Sequence, residues 1–396
     1  MSRYQPAEAT LRTALPASPR QRGATYWREL DWILLAAALG VTAFGAVLVW
    51  SASRADMALE SDPQSYLKRH LINVAIALVL GFIVSRLNYR WLRAYTPVLY
   101  GASLFMLILP FVPGIGTSVA GARSWIDLPI GFTLQPSEFV KITLILMMSA
   151  VLSEKRDAET APGARDVMVA LGLAALPIAI VLVQNDTGTI LIMASIAMAI
   201  VAVSGTSTRL VLGLIGGGIL SVLVAVQVGL LQDYQVARLT SFLDPNADAG
   251  SASFNANQAR IAIGGGGWTG YGLFEGPQTQ GKFVPVNESD FIFTVAGEEL
   301  GFIGGALLIV LLGVILWRAL HIALRADDLY GRLMATGVVA WLGFQMFENI
   351  GMSLGIMPIT GIPLPFVSAG GTSMMATWIA VGLLENVRLH SMRSRP

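Results

Sequence analysis

Residues 283–305, FVPVNESDFIFTVAGEELGFIGG, set an ionisable side chain, Asp290, where a long polar segment turns apolar. An acid at a lipid–water boundary stays within reach of substrate and water, while partial burial raises its affinity for a proton. Such a carboxylate suits a general base acting on a lipid-borne molecule. The plainer alternative is that Ser289 or Asp290 caps the helix that follows. Glu138 and Lys141 stand three apart in another apolar block and can face each other on a helix. An unpaired charge at that depth costs ~3 kcal/mol on insertion scales, so the two either pair structurally or meet an anionic headgroup. Glu298, Glu299 and Glu348 lie in further apolar stretches, where pairing with arginine and cation binding are both open. Trp125 reads as an interfacial anchor, with sugar stacking as the sharper alternative.

The elements that must hold these residues are membrane spans. Of 396 residues, 54% are hydrophobic and only 13% charged, and the mean hydropathy is +0.64, far from a soluble domain. Apolar blocks at 32–51, 70–87, 95–112, 139–152, 167–183, 190–203, 210–231, 291–321, 334–354 and 374–387 predict an all-α polytopic membrane protein of about ten transmembrane helices. No block has the alternating period of a membrane barrel. With the N-terminus inside, eighteen of the 26 lysines and arginines fall on the inner face and the other eight outside, so both termini are expected in the cytoplasm. The chain then divides into a mobile cytoplasmic tail (1–30), a membrane domain (31–388) and a short cytoplasmic tail (389–396). An extracytoplasmic loop, 232–290, joins helices seven and eight. The first apolar block lacks a convincing cleavage site and reads as a signal anchor.

Several chemistries are excluded. There is no cysteine, hence no thiolate, disulfide or cysteine–metal site. His70, His321 and His390 are too scattered for a metal cluster or a Ser-His-Asp relay. A net charge of +1 without a basic, aromatic-interleaved tract gives no nucleic-acid signal. The polar motifs instead crowd the outer segments: GARSWI (121–126), QPSEFVK (135–141), QNDTGT (184–189), NESDF (287–291) and GIPLPFVSAGG (361–371). Chemistry is therefore expected outside, beyond a cytosolic nucleotide donor. Residues 254–267 predict a short helix lying on the interface. Gly265, Gly267 and Gly270 spell GxGxxG without a preceding strand, so close backbone packing is expected, a phosphate cradle being the weaker alternative. Gly213/Gly217 and Gly301/Gly305 read as helix-packing pairs.

Together with Asp31-Trp32 at the first span, DFIFTVAGEELGFIG (290–304) and TGIPLPFVSAGG, these motifs occur in the order of the SEDS family, the RodA and FtsW proteins, which the chain resembles from about residue 30 to 385. The Asp31-Trp32 start and the GPQTQGKFVP approach (276–285) look more like RodA than FtsW. The resemblance implies a ten-helix peptidoglycan glycosyltransferase polymerising lipid II on the outer face of the bacterial cytoplasmic membrane for cell elongation. A class B penicillin-binding protein is the implied partner. By that resemblance Asp290 matches the essential acid, acting as general base, and Trp125, Glu138 and Lys141 match other positions the family needs. Arg123, Lys141, Arg238 and Lys282 are candidates to meet the substrate pyrophosphate, as is a divalent cation such as Mg²⁺; no cofactor is certain. A lipid II flippase, an inactive scaffold and an FtsW-like division role are the alternatives, and the one-sided placement of polar motifs favours an enzyme. The chain departs from the family's PExHTD, QPDLGT and SYGGSS, with PVNESD (285–290), QNDTGT and SAGGTS (368–373). These changes bear on substrate preference more than on the reaction.

Overall fold

The computed structural model describes residues 26–54, 65–119, 122–128, 132–154, 162–229, 236 and 251–394. In chain order the first seven helices are α1 Trp32–Ala52, α2 Ser65–Arg86, α3 Tyr89–Ile108, α4 Pro136–Leu152, α5 Ala164–Val183, α6 Thr187–Val203 and α7 Thr208–Gln227. They continue as α8 Ser251–Gly265, α9 Pro277–Gln280, α10 Ile292–Glu299, α11 Gly301–Arg325, α12 Leu329–Leu354 and α13 Gly371–Ser394. Helices α1–α7 and α11–α13 are the long ones, from 17 residues in α4 to 26 in α12, so the ten expected spans are present among the described residues. Five of them are crossing helices by length and composition alone. Others, such as α12 with buried Gln345, Glu348 and Asn349, carry polar residues that lower their hydropathy.

Three features differ from the sequence expectation. The 291–321 block is two helices: α10 stops at Leu300, and Gly301, at φ +64°, restarts the chain as α11. The segment before α4 holds a three-stranded antiparallel sheet, β1 Gly116–Val119, β2 Ala122–Leu128 and β3 Phe132–Leu134, ordered β1-β2-β3. Thr117 lies opposite Trp125, and Ile126 opposite Leu134. Strands of three to seven residues are too short to leave an alternating signature in an apolar chain. Finally, the Gly213/Gly217 pair does not make a helix contact: a Cβ at either glycine would meet nothing within 4 Å. Helix α7 packs along α6 and leaves Leu212, Ile219, Leu220 and Leu223 exposed.

Lipid is as apolar as leucine, so the helices must cohere by close packing and hydrogen bonds. Helix α13 lies along α2, where a Cβ on Gly382 would strike the carbonyl oxygen of Gly81. Helix α12 packs on α4, α6 and α11, burying Trp341 against a core that includes Ile145, Met148, Ile196 and Ile200. At the other end from the site, Asp31 caps α1 through Leu34 N–H at 3.1 Å. Its carboxylate also receives Arg318 Nη2 at 2.5 Å and Arg388 Nη1 at 2.8 Å, tying α1, α11 and α13 together. Burial works to raise the Asp31 carboxyl, but the bonds from Arg318 and Leu34 and the nearby Arg388 charge hold it below the usual carboxylate value.

Candidate active site

The loop between α12 and α13 re-enters the protein, burying Ile362, Leu364, Phe366 and Val367. Irregular backbone at membrane depth survives only where protein groups satisfy it. Helix α12 supplies them from two amides one turn apart. Gln345 Nε2 donates to Pro363 O at 2.8 Å and Asn349 Nδ2 to Ile362 O at 2.7 Å. Within the loop, Leu364 N–H donates to Ser368 Oγ at 2.7 Å. The polar motifs gather on this loop. Gly188 presses on Ile362 and Thr360, and Gln135 N–H donates to Thr372 Oγ1 at 3.2 Å. Gln135 Nε2 reaches Asp186 at 3.2 Å, and Asp186 caps α6 at Thr189 N–H.

Asp290 faces the same loop: a Cβ on Gly361 would lie 3.2 Å from its Oδ2. The acid is half-buried, and Ser289 Oγ donates to its Oδ1 at 2.7 Å. It ends a turn in which Val286 O accepts Asp290 N–H at 3.0 Å. Val286 holds φ +53° there, a strained value for a β-branched residue. Asp290 is not the helix cap, because α10 begins at Ile292 and its cap position is Phe291, with no side-chain bond.

Lys141 lies 2.8 Å from Glu138 and donates to Gln345 Oε1 at 3.1 Å, with Nζ 4.7 Å above the Trp341 ring. Its side chain is 0% exposed. The pair is thus an internal one that braces Gln345, and through it the Pro363 carbonyl. Glu298 and Glu299 do not resolve as arginine pairs. Glu298 accepts Gln278 N–H at 2.7 Å, Thr279 N–H at 2.8 Å and Thr279 Oγ at 2.6 Å, pinning α9; Glu299 accepts Ser51 Oγ at 2.6 Å. Glu348 is fully buried beside Thr360, with neither oxygen in a well-formed hydrogen bond.

Trp125 is half-buried and Arg123 exposed on β2, which is tied to the 184–189 turn by Arg123 N–H donating to Gln184 O at 3.1 Å. Lys282, half-buried at φ +54°, follows α9 in the same inter-helix segment as Asp290. Arg238 lies outside the described residues. The glycine pattern works as backbone packing: Gly270, at φ +80°, abuts the Glu299 carbonyl, and Gly301 abuts the Gly270 amide. This fastens the segment after α8 into the α10–α11 break. Among the described residues no three His, Asp or Glu side chains converge as a metal cage. Sequence reasoning passed over Gln345 and Asn349, and noted Ser368 only as part of its motif. The available signal was two amides four apart in the span that also holds Glu348.

Ten long helices with their polar motifs meeting at one end, around a half-buried carboxyl beside a re-entrant loop, define a multi-pass membrane protein. Residues 31–393 match the model of the cell cycle protein family that groups FtsW, RodA and SpoVE. The chain belongs to this family, the SEDS proteins. It is 38% identical over 362 residues to a probable peptidoglycan glycosyltransferase FtsW of Geobacter metallireducens, covering 90% of this chain and 94% of that one. It is 34% identical over 373 residues to the peptidoglycan glycosyltransferase MrdB of Escherichia coli K12, covering 92% and 96%. Its fold is similar to a chain in a solved peptidoglycan synthase complex that coordinates polymerization and crosslinking, with TM-score 0.75, 30% identity, and 92% and 99% of the two chains covered.

Proposed function

We propose that this protein is a peptidoglycan glycosyltransferase that polymerises lipid II on the outer face of the bacterial cytoplasmic membrane, with Asp290 as general base. The observation that carries this reading is the half-buried Asp290 carboxyl held against the 361–371 loop, in a chain whose relatives at 38% and 34% identity bear that activity in their names. Asp290 takes the proton of the acceptor sugar hydroxyl as that oxygen attacks the donor anomeric carbon. The bond to the polyprenyl pyrophosphate breaks, the electron pair leaves with the phosphate, and the anomeric centre inverts. General-base help contributes ~10²–10⁴-fold, with positioning and charge stabilisation supplying the rest. The leaving group departs as an anion, so no separate acid is required. Arg123, Lys282 and Arg238 are the basic residues assigned to it, and Trp125 to a substrate sugar. Glu138 and Lys141 act by holding Gln345 and the re-entrant loop.

Lysine and arginine placement supports cytoplasmic termini and an outer site. The Asp31-Trp32 start and the 276–285 approach support an elongation role beside a class B penicillin-binding protein; the FtsW-named relative supports division as the second reading. Purified protein supplied with lipid II in detergent, with and without the transpeptidase, tests the activity, because neither a flippase nor a scaffold lengthens glycan there. Asp290→Asn keeps shape and hydrogen bonding yet accepts no proton at this step, so it is expected to make no polymer while still inserting. Polymer at the wild-type rate from Asp290→Asn refutes the base assignment. Complementation of elongation-deficient and division-deficient cells separates the two roles, by restored rod shape or restored septation.

A further inference from the structure

The turn that carries Asp290 presents three consecutive carbonyls to the opposite wall of the site, and each is met by a donor. Ala369 N–H donates to Glu288 O at 2.9 Å, Ser368 Oγ to Ser289 O at 2.5 Å and Asn349 Nδ2 to Asp290 O at 2.6 Å. Asn349 commits both amide hydrogens, since its second bond goes to Ile362 O at 2.7 Å. One rigid, planar amide therefore sets the separation between the acid's own peptide and the re-entrant loop. Ser368 is committed in the same way: Leu364 N–H donates to its oxygen, leaving the hydroxyl hydrogen for Ser289. Both side chains are buried, so water does not compete for either bond.

Both side chains bond to main-chain atoms. On the turn their partners are main-chain carbonyls, and the carboxyl projects from that turn towards Gly361. A general base is effective only within about 2.6–3.2 Å of the proton it removes, so the docking of this turn sets the reaction distance. We infer that Asn349 and Ser368 are positioning residues for Asp290, holding the turn at two successive carbonyls, Ser289 O and Asp290 O, beside the Ala369 bond to Glu288 O, so that the carboxyl meets the acceptor hydroxyl. The inference rests on Asp290 being the base.

Asn349→Leu keeps the side chain's shape and removes both donors; Ser368→Ala removes one donor, and Ser368→Thr restores it. Each variant, purified with its transpeptidase, is measured for lipid II binding stoichiometry, KM and kcat per bound substrate, beside Asp290→Asn. The expected result is unchanged stoichiometry, KM within about three-fold, and kcat lowered roughly 10²-fold in Asn349→Leu and Ser368→Ala, the loss typical of a ~1 Å misplacement. Ser368→Thr is expected to recover most of that turnover. Should Asn349→Leu fail to fold, the Ser368 pair decides alone. Wild-type kcat in Ser368→Ala beside an inactive Asp290→Asn overturns the inference and leaves the base assignment standing. A loss of kcat matched by an equal loss of binding stoichiometry, unrecovered in Ser368→Thr, also overturns it, because that marks a purely structural role. Turnover by Asp290→Asn overturns the base assignment itself.

Discussion

Glu138→Gln keeps the side chain's length and removes one charge from a pair with no exposed lysine surface. At the observed 2.8 Å and an effective dielectric constant of about 20, the Coulomb attraction is roughly 6 kcal/mol gross. The glutamine oxygen still accepts a bond from the ammonium, worth ~1.5–3 kcal/mol. Gln345 and the Trp341 ring partner Lys141 before and after the change, so they offset nothing. The expected loss is therefore about 3–4 kcal/mol, in line with the ~3–5 kcal/mol found when a buried pair is broken. Chains of 150–250 residues lose ~2–4 °C per kcal/mol, less when longer, so Tm in detergent should fall by about 5–8 °C. Lys141→Met should lose a similar amount by stranding Glu138. The double change Glu138→Gln/Lys141→Met removes both charges and should return to within about 2 kcal/mol of wild type, with polymerisation restored alongside. The reasoning fails if Lys141→Met keeps the wild-type Tm yet makes no polymer, or if the double variant regains Tm and stays inactive. Either result puts the ammonium on the substrate.

Asp31→Asn strands two arginines, and since Arg388 reaches solvent the cost should sit near the low end of ~3–5 kcal/mol, read as a lowered Tm. Because the Asp31 carboxyl is held below its usual value, its contribution is complete above about pH 3.9 and is lost as pH falls through the lower folded value. Wild-type and Asp31→Asn melting curves should therefore converge below that pH, and a constant gap down to pH 2–3 counts against the cluster. Gly270→Ala combines a left-handed backbone with collision against the Glu299 carbonyl, so a loss of about 2–4 kcal/mol is expected and an unchanged Tm refutes the packing. For orientation, single cysteines replacing Glu275 and Glu154 in this cysteine-free chain should differ: an impermeant thiol reagent labels Glu275→Cys in intact cells and spares Glu154→Cys. The reverse pattern overturns the outer site.

The spans were legible because lipid demands long apolar blocks, and Asp290, Glu138 and Lys141 because charge is conspicuous inside them. What holds them together was harder to see. Gln345 and Asn349 carry no charge, and beside Glu348 in the same helix they draw less notice. Their purpose depends on a re-entrant loop that no local pattern announces. The α10–α11 break is a tertiary event: Gly301 takes φ +64° because the Gly270 backbone comes against it from another segment. The helix-packing expectation for Gly213 and Gly217 met the opposite difficulty. Spacing gives a competence to pack, and α7 brings no neighbour to that face.

The seam where Gly266 and Gly270 bear directly on the carbonyls of Gly297 and Glu299 shapes how sequence change in this chain is to be interpreted. A saturation library selected for growth should return these positions as intolerant as Asp290, although they supply no functional group. Activity alone will not tell the two kinds of intolerance apart. Abundance will: substitutions in the seam should deplete the protein from the membrane, whereas a change at the acid should leave a normally accumulated, inert one. Such inert protein would compete with wild type for shared partners, so dominance in mixed populations should follow from the acid and not from the seam.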